Sequence, residues 1–153
     1  MIPSRNPSKP PPLRLKIHSD PANVAEARRA IEMFCAQCGF DETSRGEIGL
    51  VVNEALANVI RHAYQGAIDK PIELSAEKTD EGIKINLRDW GVGVNPFDLP
   101  AKKRDPLKPG GVGLICMRQM MDDVEFQKQP DGMLLSMSRS RIRPRQTGAK
   151  EAC

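Results

Sequence analysis

The chain has 153 residues, enough for one domain with a real hydrophobic core. Hydrophobic residues make up 39% and aromatics only 4%, so that core is expected to be aliphatic and Met-containing. A formal charge of +3 gives nucleic-acid binding no global support. No apolar run approaches the roughly 18 residues that span a bilayer, and the N-terminus lacks the apolar segment of a signal peptide. A cytoplasmic protein is the expectation, with no direct contact to nucleic acid or membrane.

Residues 1–12 carry five prolines and little that could pack. They predict a flexible leader (1–11), a folded domain (12–138) and a basic, frayed tail (139–153). Leu13 to Ile17 alternates apolar and basic residues, the pattern of a half-buried edge strand. Asp20-Pro21 supplies a cap and a first-turn proline for a helix from about Ala22 to Cys38, with Val24, Ala27, Ile31 and Phe34 facing inward. Gly39 ends it. Cys35 and Cys38 have C-x-x-C spacing, but they fall in the last turn of a helix rather than at its start. Reduced cytosolic thiols are the simpler reading.

Asp41, Ser44 and Glu47 restart the chain, with Ser44 and Glu47 at capping-box spacing. The helix that follows, Glu47 to Gln65, buries Ile48, Val51, Val52, Ala55, Val59 and Ala63 along one stripe. Glu47, Glu54, Asn58, Arg61 and Gln65 share another face, so Glu54 and Asn58 project side by side one turn apart. Asparagine is a mediocre helix former, and in mid-helix it usually needs a reason.

Ile72 to Lys78 and Ile83 to Asp89 alternate as two strands around the turn Thr79 to Gly82. A proline-rich stretch, Asn95 to Pro109, then reads as a lid or binding loop. Val112 to Met121 is a short helix with Leu114, Ile115 and Met117 buried. A second hairpin pairs 124–128 with 133–138 around Pro130-Asp131-Gly132. The sum is α+β, a two-layer sandwich of mostly antiparallel or mixed sheet with helices on one face.

Two glycine clusters carry chemistry. Asp89-Trp90-Gly91-Val92-Gly93 ends a strand, where a carboxylate can accept a hydrogen bond from an exocyclic amine such as that of adenine. Gly91 and Gly93 permit close backbone approach and positive φ. Gly110-Gly111-Val112-Gly113 leads into a helix, exposing backbone N–H groups for phosphate beside the positive end of the dipole. Neither a Walker A pattern nor a βαβ unit surrounds it.

In this order the stretches resemble the ATPase superfamily shared by gyrase, heat-shock chaperones, histidine kinases and mismatch-repair proteins. The runs VVNEALANVIRHAY and GGVGLICMRQMMDDVEF are similar to its smallest members, the bacterial anti-sigma factor serine/threonine kinases that switch partners. The resemblance covers about residues 12–138. It implies ATP bound with Mg²⁺, the metal held by Asn58 and Glu54 acting as base or orienting group. It implies that Asp89 reads adenine while Gly91 and Gly93 let base and lid sit close. Gly110, Gly111, Val112, Gly113 and Leu114 would cradle phosphates and start the helix behind them. Lys102, Lys103, Arg104 and Lys108 would neutralise phosphate charge, with solvated surface as the competing reading. His62 would pack rather than catalyse.

The implied partners are a sigma factor, a small single-domain antagonist and a second copy of the chain as a homodimer. Two positions depart from the family pattern: Pro109 stands where an arginine is frequent, and Gly132-Met133 where a threonine often follows the glycine. A nucleotide-tuned binding module with negligible kinase activity is the alternative function.

Overall fold

The computed structural model describes residues 9–93 and 117–142. The first strand, β1 (Leu13–His18), leads through a 3₁₀ turn (Pro21–Asn23) into α1 (Val24–Gln37). Asp20 caps that turn, its side chain accepting from the Ala22 N–H at 2.9 Å. At the far end Gly39 adopts φ +92°, and the N–H groups of Gly39 and Phe40 return to the carbonyls of Ala36 and Cys35. This is the glycine-terminated helix end expected from the sequence.

The next helix, α2 (Glu42–Asn58), opens on Asp41, whose side chain accepts from the Ser44 N–H at 2.7 Å. The capping residue is therefore Asp41, and the expected Ser44–Glu47 box does not form. Both side chains are engaged elsewhere, with Arg139. Nor does the α-helix run on to Gln65. It passes at Val59–Ala63 into a π-turn, closed by the Tyr64 N–H on the Val59 carbonyl, and Gln65 and Gly66 take positive φ. The extra residue in that turn breaks the shared polar face, leaving Asn58 buried and Arg61 exposed.

Strands β2 (Pro71–Lys78), β3 (Gly82–Asp89), β4 (Asp123–Gln129) and β5 (Gly132–Ser140) complete the chain. With β1 they form one antiparallel sheet in the order β1-β2-β3-β5-β4. Its inner rows interdigitate with the helices; Leu15, Leu74, Leu87, Leu135 and Phe126 form one of them. The outer face carries polar residues, such as the cross-strand pair Lys16–Glu73 and the Ser136–Asn86 hydrogen bond. The α+β two-layer reading holds, with alternation selecting the buried face.

The final strand extends past the expected boundary. Arg139, assigned to a frayed tail, lies in β5 and is only 5% exposed, its charge met by Glu47 at 3.4 Å. A short helical segment at 117–120 precedes β4. The proline-rich loop, the second glycine cluster with Leu114, Lys102, Lys103, Arg104, Lys108 and the rest of the tail fall outside the described residues. Among the described residues no helix is long and apolar enough to cross a membrane.

Candidate functional site

The last turns of α2 place Glu54 and Asn58 beside the sheet. Asn58 is 4% exposed, although asparagine belongs among surface residues by composition. Its Nδ2 and the Oε2 of Glu54 are both buried without a hydrogen-bond partner. Such orphans are uncommon, because each costs the desolvation of a polar group, about 1–3 kcal/mol. Two of them one turn apart mark a place where a polar ligand would complete the bonding.

Across from them, Asp89 ends β3 on the sheet face that the helices cover. In register it stands in the row Ile17, Ile72, Asp89, Met133, Lys128. Asn58 and Asp89 line one cavity, together with Ala55, Val59 and Ala63 on the helix side. Its remaining described wall is apolar: Leu87, Met117, Phe126, Met133 and Leu135. Its space is small, but an apolar lining with a few convergent polar groups is the composition of a small-molecule site. Met133 adds a thioether side chain to that wall.

The Asp89 carboxylate is held by backbone. Its Oδ1 accepts from the Gly91 N–H at 2.9 Å. Burial pushes its pKa above the usual carboxylate value, opposed by the Gly91 and Met133 N–H groups and the nearby Arg88 charge. Arg88 does not pair with that carboxylate: its guanidinium contacts Asp131 and the Asp89 carbonyl, and stacks 4.6 Å from the centre of the Trp90 ring. The acid is thus held by backbone donors, with the Arg88 charge nearby but paired elsewhere.

The glycines after it have separable reasons. A Cβ on Gly91 would sit 2.3 Å from the Ala63 carbonyl oxygen, so its close approach is to the helix end. Gly93 has φ +72°, a conformation glycine adopts freely. Tyr64, not singled out from sequence, buries its ring here and receives the Trp90 N–H on its hydroxyl at 2.8 Å. The signal available was an aromatic with a polar tip just past a helix end. His62 is partly buried, and burial with the neighbouring Arg61 charge lowers its pKa, favouring the neutral ring.

Glu54 is not among the residues lining the cavity, so the three polar side chains gather as a pair that shares the cleft and a neighbour one turn away. The carboxamide and carboxylate oxygens of Asn58 and Glu54 are hard donors of the kind that suits Mg²⁺. A half-turn of the Asn58 amide exchanges its nitrogen for Oδ1 at the orphaned position. The residues present therefore fit that ion. The C-x-x-C thiols are remote in character: both are buried, and burial raises each pKa, that of Cys35 to about 12. They are protonated at neutral pH, the form that does not attack a disulfide.

Residues 17–139 match the histidine kinase-like ATPase domain family. An anti-sigma F factor of Halalkalibacterium halodurans is 31% identical over 123 residues, 77% of this chain and 84% of that protein. The serine-protein kinase RsbW of Oceanobacillus iheyensis is 27% identical over 138 residues, 83% of this chain and 85% of that one. Among solved structures, the RsbU and RsbW domains of a Mycobacterium tuberculosis protein superpose with a TM-score of 0.64 at 16% identity. That match covers 86% of this chain and 33% of the longer one, and at such identity it speaks for the fold alone. The family match spans most of the chain and relatives named anti-sigma F factor and serine-protein kinase RsbW agree with it, so the chain belongs to the histidine kinase-like ATPase domain family.

Proposed function

We propose that this chain is a serine/threonine protein kinase that uses ATP to phosphorylate a small single-domain anti-sigma-factor antagonist, and that it sequesters a sigma factor when the antagonist is unavailable. The observation that supports this most is the cleft shared by Asn58 and Asp89, with unpartnered buried polar atoms on Asn58 and Glu54. The names of the relatives, anti-sigma F factor and serine-protein kinase, supply the reaction class and the kind of partner.

Asp89 accepts from the adenine amine while the apolar wall packs the ring. Asn58 would hold Mg²⁺ with Glu54 nearby. When bound, the ion neutralises charge on the phosphates, which is most of what phosphoryl transfer asks of its surroundings. Glu54 takes the proton of the attacking serine hydroxyl. The bond from the γ-phosphorus to the ADP oxygen breaks as the bond to the serine oxygen forms. Gly110, Gly111, Val112, Gly113 and Leu114 cradle the phosphates, and Lys102, Lys103, Arg104 and Lys108 neutralise them. Gly93 lets base and lid sit close. The chain works in the cytoplasm as a homodimer.

The test is phosphate transfer from labelled ATP to a candidate antagonist. Wild type labels a serine or threonine, and Glu54→Ala lowers the rate by about 10²–10⁴-fold, the span of general-base contributions, with ATP affinity kept within a few-fold. Nucleotide binding without any transfer by the wild type overturns the kinase assignment.

A further inference from the structure

Three consecutive N–H groups follow Asp89, and each has its own acceptor. Trp90 N–H reaches the Tyr64 hydroxyl at 2.8 Å, Gly91 N–H the Asp89 Oδ1 at 2.9 Å, and Val92 N–H the Ala63 carbonyl at 3.1 Å. Two of those acceptors, Tyr64 and Ala63, sit at the end of the π-turn that begins directly after Asn58. The same Tyr64 hydroxyl donates to the carbonyl of Pro71, the first residue of β2. One phenol thus ties the end of β3 to the start of β2 and both to the helix.

We infer that Tyr64 is a positioning residue for base selectivity: its hydroxyl clamps the segment after Asp89 so that the carboxylate meets the amine edge of the nucleotide base. The inference rests on the nucleotide reading above and deepens it. An apolar cleft by itself binds flat rings with little regard to their edges, so discrimination depends on where one buried acceptor points. No side chain hydrogen-bonds the Asp89 carboxylate directly, its donors are backbone N–H groups, and the backbone it hangs from is fixed by Tyr64 and Ala63. The π-turn is what brings residues 63 and 64 there: an extra residue in one turn rotates everything after it by about 100° relative to a regular α-helix. Burial keeps the phenol protonated, so it donates and accepts at once.

The test compares ATP with inosine triphosphate, which carries a carbonyl in place of the adenine amine, in binding titrations of wild type, Tyr64→Phe, Asp89→Asn and the double variant. Wild type prefers ATP. Tyr64→Phe weakens ATP by roughly fivefold to tenfold, the worth of a lost hydrogen bond, and leaves inosine triphosphate unchanged. In the Asp89→Asn background the tyrosine change adds no further loss of selectivity. Equal weakening of both nucleotides by Tyr64→Phe, or none, overturns the inference while leaving the nucleotide site standing. A wild type that binds neither nucleotide overturns both. Gly91→Ala presses a methyl against the Ala63 carbonyl and disturbs the same clamp from the other side. It is expected to narrow selectivity too, and unchanged selectivity in a folded Gly91→Ala protein counts against the clamp even if Tyr64→Phe does not fold.

Discussion

Among the described residues two ionisable side chains are buried on the apolar face of the sheet, Asp89 at one end of the β3–β5 ladder and Arg139 at the other. Arg139 pairs in register with Ile83, six residues from Asp89 on the same strand, or about 20 Å at 3.4 Å per residue. Both are almost wholly buried, 3% and 5% exposed. Their surroundings differ. Arg139 donates to Glu47 at 3.4 Å, to Ser44 Oγ at 3.0 Å and to the Met120 carbonyl at 3.1 Å, joining β5, the start of α2 and the helical segment at 117–120. Asp89 has only backbone donors and opens on a cleft that also holds Asn58. A buried charge met by two side chains of α2 and by the Met120 carbonyl serves the fold. One held by backbone donors beside a cavity it shares with Asn58 is placed for something that arrives.

That contrast predicts opposite responses to losing the charge. Arg139→Met strands Glu47, Ser44 and the Met120 carbonyl, and should lower stability by about 2–3 kcal/mol, or roughly 5–10 °C in Tm. It should leave the affinity for ATP within a few-fold, because Arg139 lies at the other end of the ladder. Thermal melts and calorimetry on the one protein read both quantities. A variant that melts like wild type would make Arg139 incidental.

Asp89→Asn should do the reverse. Since burial raises the Asp89 pKa in the folded protein, the fold prefers the neutral acid. The sign follows: the folded protein binds this proton more tightly than the unfolded chain. The contribution to stability is therefore full at pH below the unfolded value and is lost as pH rises through the raised folded value. At neutral pH the wild type carries that cost and the asparagine variant does not. Asp89→Asn is expected to melt no lower than wild type at pH 7 and to gain relative to it from pH 3 to 7. Its ATP affinity should fall by about 10–100-fold, the range for a hydrogen bond to a charged group. A lower Tm with ATP binding intact would reverse the roles assigned to the two ends.

Much of this was legible in the sequence because it depends on local pattern. Alternation at Leu13 to Ile17 and in the two hairpins selects the buried face of the sheet, and Gly39 marks the end of α1 through its positive φ. Asn58 declared itself as a poor helix former in mid-helix, and Asp89 as a carboxylate ending a strand just before two glycines. The helix continuation past Asn58 was misread because a π-turn leaves the stripe of Val59, Ile60 and Ala63 apolar, and periodicity cannot see one extra residue. Arg139 was misread for a related reason. A basic residue near a basic tail looks solvated until Glu47, 92 positions away, is known to meet it. Tyr64 was missed because its partners, Pro71 and Trp90, are joined only by the folded sheet.

The central claim is that Asn58 and Asp89 act on one ligand from two sides, the first through magnesium and the second through the base. Calorimetric ATP titrations with excess Mg²⁺ and with EDTA test it directly, in wild type, Asn58→Ala and Asp89→Asn. The account predicts that chelation weakens wild type and Asp89→Asn by a similar factor, and that Asn58→Ala binds ATP equally weakly with and without the metal. Wild-type affinity indifferent to magnesium, or a full metal response surviving in Asn58→Ala, would contradict it.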